Sequence, residues 1–113
     1  MEGRPFFAQL SFTTPHWPLH ARAEDIVKQQ GQSDAGWFAL AQARPEKMLE
    51  LGVIGTSGPV NLPNKEAWDN LSDAQRAIAA RRMAVFAAMV QRMDRILAVC
   101  WRSLELLISS ARR

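Results

Sequence analysis

The run Ser72-Asp73-Ala74-Gln75, with the residues that follow it, constrains the fold more than any other feature of this chain. A serine followed three residues later by glutamine fits a capping box, in which the hydroxyl accepts an orphan backbone N–H and the amide reaches back to the cap. Beyond it, Ile78, Phe86, Met89, Val90, Met93, Leu97, Cys100, Trp101, Leu104 and Ile108 recur every three or four residues. That spacing predicts a single long helix with one apolar stripe, about 50 Å long at 1.5 Å per residue. Alanines at 79, 80, 84, 87 and 88 predict close packing of this helix against a sheet. Met83, Met89 and Met93 read as core side chains rather than as a cofactor box.

The N-terminal half reads differently. Pro5 through Phe12 is apolar on both faces and is expected to form a strand of about seven residues inside a covered sheet. It stops at Thr13-Thr14-Pro15, after which Pro15 and Pro18 bracket His16 and Trp17, fixing φ at two positions and removing two backbone donors. Residues 23–30 and 34–51 are predicted helical, the second broken near Pro45, and Gly52 to Pro63 is a Gly/Pro-rich connector. A covered strand needs partner strands for its N–H and C=O groups. Val53-Ile54 and Val60 are too short and too close to glycines to serve. The expected fold class is therefore α/β, in which Phe6 to Phe12 belongs to a larger sheet that is mostly missing here.

At 113 residues the chain is one domain at most. Its 48% hydrophobic content and net charge of +3 exclude intrinsic disorder, and the lone Cys100 excludes a disulfide framework or a cysteine-rich zinc module. The charge is uneven: residues 1–75 carry six basic and nine acidic side chains, residues 76–113 eight arginines and two acids. An arginine-rich helix is able to track phosphates or an anionic membrane. However, Arg76, Arg81, Arg82, Arg92 and Arg95 alternate with apolar residues as on a solvated helix face, so no nucleic-acid partner is expected. Met1 to Phe12 lacks the apolar stretch of an export signal, and Ile96 to Ile108 is short and interrupted by Arg102 and Glu105, which argues against a membrane span.

The run Pro5-Phe6-Phe7 through Thr14-Pro15-His16-Trp17-Pro18-Leu19-His20-Ala21 closely resembles the sulfatases, in the arylsulfatase branch of the alkaline-phosphatase-like fold. Asp34-Ala35-Gly36-Trp37, Glu50-Leu51-Gly52-Val53-Ile54, Trp68 with Leu71, Arg81 to Val90 and Arg92-Met93-Asp94 continue the resemblance over residues 4–95. The chain departs from it at Phe38 and Gln91, where the family usually carries aspartate, near Ala41 (arginine) and at Phe86 (tyrosine). The resemblance implies hydrolysis of sulfate esters by a formylglycine nucleophile and a divalent metal, usually calcium. It also implies a histidine that contacts the sulfate and helps protonate the leaving oxygen. His16 matches that histidine and is the expected catalytic and substrate-binding residue. Its place after a strand suits ligands that bind beyond the carboxyl ends of sheet strands, and an imidazole holds or donates a proton near neutral pH. His20 reads as an ordinary loop residue.

The rest of the machinery is not expected within this chain. Formylglycine is made in a Cys/Ser-x-Pro-x-Arg run, and Val99-Cys100-Trp101-Arg102-Ser103 has no proline two residues beyond the cysteine. Asp69-Asn70 superficially resembles the family's metal pair but precedes a helix cap and reads as turn chemistry. A hard cation wants about six to eight oxygen ligands, and no such cluster is apparent, so no metal site is assigned. After Arg95 the resemblance stops where the family continues Asn-Ile-Gly-Arg-Val-Leu-Ala. Written as AAT ATT GGC CGT GTG TTG GCG and shortened by one A, that run translates as Ile-Leu-Ala-Val-Cys-Trp-Arg, which is Ile96 to Arg102. Residues 1–95 are accordingly expected to be an internal sulfatase segment and 96–113 a frameshifted helical tail. The chain alone is expected to be inactive, and to self-associate through an exposed strand and an apolar helix face. The alternative is a helical interaction module that binds a partner helix, an anionic membrane or nucleic acid through its basic C-terminal helix.

Overall fold

The computed structural model describes residues 7–56, 58 and 61–111. Four helices follow in order: α1 (Ala23–Gln29), α2 (Gly36–Glu50), α3 (Lys65–Asp69) and α4 (Asp73–Ala111). α4 begins as its sequence dictates. Ser72 N–H donates to Gln75 Oε1 at 2.9 Å and Gln75 N–H to Ser72 Oγ at 3.3 Å, the reciprocal pair of a capping box. Its 39 residues account for most of the 62 Å long dimension of the molecule. No helix among the described residues is long and apolar enough to cross a membrane.

The expected core strand is absent. Residues 7–13 form neither strand nor helix, Phe7 is 87% and Leu10 53% exposed, and no strand occurs among the described residues. Met1 to Phe6 lie outside them. The α/β expectation is thus corrected to an all-helical arrangement. The reason is the one that made the strand doubtful in isolation: its backbone groups have no ladder to join in this chain, and water satisfies them better than an unpaired extended segment against helices. For the same reason Ala84 and Ala88, 3% and 0% exposed, are buried in helix packing rather than against a sheet.

α2 also differs from expectation, because it runs through Pro45 without a break and forfeits one intrahelical hydrogen bond there. It ends in a Schellman motif: Val53 N–H donates to Met48 O at 2.9 Å and Gly52 N–H to Leu49 O at 3.0 Å, with Gly52 at φ +68°. α3 was not foreseen. Its start is fixed by Asn64, whose side-chain oxygen accepts the Glu66 N–H at 2.8 Å, and its end by Arg76, which donates to Asp69 O at 2.7 Å.

Packing between α2 and α3 centres on two indoles. Trp37 and Trp68 meet edge to face with centroids 4.8 Å apart, Trp37 Nε1 donates to Asn64 O, and Trp68 is buried. Gly36 makes this approach possible: at φ +85°, a Cβ on it would lie 2.4 Å from Trp68 Cδ2. Gly36→Ala therefore adds a left-handed backbone penalty to an overpacked contact. We expect a loss of about 2–4 kcal/mol in urea unfolding followed by tryptophan fluorescence, and wild-type stability would contradict this packing.

Candidate functional site

The segment between the extended N-terminal residues and α1 carries His16. Its turn is closed by the His16 N–H, which donates to Thr13 O at 3.0 Å. His16 is exposed, and its Nδ1 lies 2.7 Å from Trp17 O. A carbonyl only accepts, so this hydrogen bond places the proton of the neutral ring on Nδ1 and leaves Nε2 as the acceptor, or as a second donor once protonated. Trp17 beside it is 65% exposed.

His20 is exposed and lines a surface cleft of about 340 Å³ with Thr14, Arg22, Asp25, Met89 and Arg92. His16 is not among the lining residues, so the structure does not bring the two histidines into one cavity. The floor of the cleft is ionic. Asp25, in the first turn of α1, is 2% exposed. Arg92 Nε donates to Asp25 Oδ2 at 2.9 Å, its Nη2 pairs with the same oxygen, and Nη2 reaches Glu24 Oε1 at 3.2 Å. Arg95 and Lys28 stand 3.6 and 3.7 Å from Asp25 Oδ1, at ion-pair rather than hydrogen-bond distance. Oδ1 has no hydrogen-bond partner among the described residues.

The Arg92 hydrogen bond holds the Asp25 carboxyl below its usual range against the opposing effect of burial, and the nearby positive charges act in the same direction as the bond. Sequence reasoning took Arg92 and Arg95 for solvated residues. No local signal marks Asp25 as their partner, since the two halves of the pair lie 67 positions apart. The consequence for stability has a definite sign. With its folded pKa below the unfolded one, the carboxylate stabilises the fold fully above about pH 5, and that contribution is lost as pH falls through about 4 and below. The melting temperature of the wild type is expected to fall more steeply between about pH 6 and 3 than that of Asp25→Asn; parallel curves would contradict the assignment.

Other candidate residues lie apart. Cys100 is half-buried on α4, two turns beyond Arg92. Asp69 closes α3 and pairs with Lys65, and Asn70 is its C-cap, as turn chemistry requires. No group of three or more His, Cys, Asp or Glu able to hold a metal ion occurs among the described residues. The donor set present does not fit a hard divalent cation, and no step is derived through one. What the arrangement offers chemically is the exposed, proline-bracketed imidazole of His16, with a second exposed imidazole, His20, nearer the end of the loop that is anchored through α1 to α4.

No family model matches the chain. It is similar to an uncharacterised sulfatase of Schizosaccharomyces pombe, 36% identical over 96 residues that make up 82% of this chain and 17% of that protein. It is also similar to an arylsulfatase of Klebsiella aerogenes, 36% identical over 92 residues, 80% of this chain and 20% of the relative. The chain thus spans about a fifth of the length of these relatives.

Proposed function

The chain belongs to the sulfatase family, and we propose that it is an internal segment of an arylsulfatase-like sulfuric ester hydrolase that contributes one catalytic side chain, His16. The observation that carries this reading is the Pro15-His16-Trp17-Pro18-Leu19 loop, with its exposed imidazole tied at Nδ1. In the assembled enzyme His16, carrying protons on both ring nitrogens, would contact the sulfate of the ester and deliver the Nε2 proton to the leaving oxygen, returning to the neutral Nδ1–H form. The Trp17 carbonyl fixes which nitrogen does so, and the two proline rings limit how far the loop strays.

Burial supports the segment reading. Trp68, Ala84, Ala88 and Met89 are the hydrophobic residues buried among those described, a very small core for a chain of this length. Phe86, Ile78 and Leu10 are exposed where an intact domain would cover them. We assign residues 1–95 to the sulfatase segment and 96–113 to a frameshifted tail. Reading the coding DNA in the other frame past Arg95 is expected to continue as sulfatase sequence toward an Asp-Asn-Gly loop; unrelated sequence there would remove this assignment.

Catalytic groups that act as a unit leave almost nothing when only one remains. The purified chain is therefore expected to hydrolyse no aryl sulfate, with or without calcium. Turnover that is present in the wild type and vanishes in His16→Ala would overturn the view that the nucleophile and metal ligands lie elsewhere.

A further inference from the structure

The C-terminal part of α4 extends past everything it packs on. None of the described side chains beyond Arg95 is buried, and Leu97, Trp101, Leu107 and Ile108 are 42%, 66%, 64% and 48% exposed. A helical stretch of this length is marginal in water without tertiary support. Its apolar residues are not scattered. Val90, Met93, Leu97, Cys100, Leu104 and Leu107 follow one another at spacings of 3, 4, 3, 4 and 3, the alternation of a heptad seam.

At 3.6 residues per turn this seam lies on the side of α4 opposite to Ala84, Ala88, Arg92 and Arg95, the side that holds the buried alanines and the ion pair to α1. Met89 at the edge of the seam is buried and Val90 and Met93 are half-buried, so the body covers the start of the seam and leaves it open from Leu97 onward. We infer that the seam is the docking surface for a second copy of this chain, which pairs α4 with α4 across a two-fold axis.

Three features select a second copy over other occupants. First, a 3-4 alternation is complementary to another seam of the same kind, and an isologous contact needs no other partner. Second, Ile96, Leu97, Trp101, Leu107 and Ile108 are 43%, 42%, 66%, 64% and 48% exposed on and beside the seam, a continuous apolar face of several large side chains such as a stable self-contact of roughly 800 Å² per partner needs. Third, charge tells against an anionic surface: no seam position is charged, Asp94 and Glu105 border one edge beside Trp101, and Arg95 and Arg102 project from the opposite side. Burial of a seam requires only apolar area and fit, so this inference does not depend on the sulfatase reading.

Sedimentation equilibrium and light scattering on the full chain between about 5 and 100 μM are expected to give the mass of two chains. Leu97→Glu and Leu104→Glu place a charge in the seam outside the folded body, and each is expected to weaken the dimer at least about tenfold with the Trp37–Trp68 region unchanged in near-UV circular dichroism. Val99→Glu is the control, because Val99 is 64% exposed and equally apolar but lies off the seam, and it should leave the dimer intact. A monomeric wild type, assemblies larger than two chains, or equal weakening by Val99→Glu would overturn the inference. So would a wild-type chain that partitions onto phosphatidylserine vesicles while its Leu97→Glu and Val99→Glu variants lose that binding equally.

Discussion

A buried carboxylate governs the geometry of this chain. Asp25 reaches its 2% exposure only because Arg92 supplies two donors to one of its oxygens and Arg95 and Lys28 face the other. An ionised side chain taken out of water without such partners is destabilising, so the burial and the pairing are one fact. α1 has seven residues, too few to hold its own helical hydrogen bonds in water. What holds it is this attachment to α4. The loop that carries His16 and Trp17 runs directly into α1, so the position of the imidazole is inherited from an ion pair on a helix far away in sequence.

The second constraint is a shortage of core. Nearly half of the chain is hydrophobic by composition, yet four apolar side chains are buried among the described residues. Small residues do much of the packing that exists: Ala84 and Ala88 bring α4 close to its neighbours, and Gly36 lets the Trp68 ring lie against the backbone of α2. Large residues such as Phe86 and Ile78 project outward. This distribution is what results when close contacts within a segment are retained and the surfaces meant for other parts of a domain are left open.

Legibility in the sequence followed the range of the interactions. The capping box at Ser72 and the end of α2 at Gly52 are set by residues a few positions apart, and the sequence announced the first and bounded the second. The motif around His16 was legible because its prolines and aromatic residues form a contiguous run. The Asp25–Arg92 pair and the Trp37–Trp68 contact were not legible, for neither half of either pair carries a local mark of the other. The stripe on α4 was read correctly as a helix, but the sheet expected against its alanines is absent, because periodicity fixes which residues share a face but not what covers it. The strand from Phe6 to Phe12 failed in the same way: β-propensity describes a fit to neighbouring strands, and propensity without neighbours leaves residues 7–11 exposed and outside any strand.

Packing along α4 ends well before the helix does. The last buried residue is Met89, and the last residue tied to another element is Arg95, through Asp25. A helix shaped throughout by one domain would be expected to contact that domain along its length, or to turn polar where it leaves it. Here neither occurs, since beyond Arg95 the helix keeps Ile96, Leu97, Val99 and Trp101 but loses every contact with α1, α2 and α3 that the structure shows as a hydrogen bond or ion pair. Leu, Ala, Arg and Glu favour a helical backbone here, but propensity alone leaves such a stretch marginal until its apolar side chains meet a partner. Apolar side chains that continue without a body to meet are available to whatever surface of matching shape is present at the highest concentration.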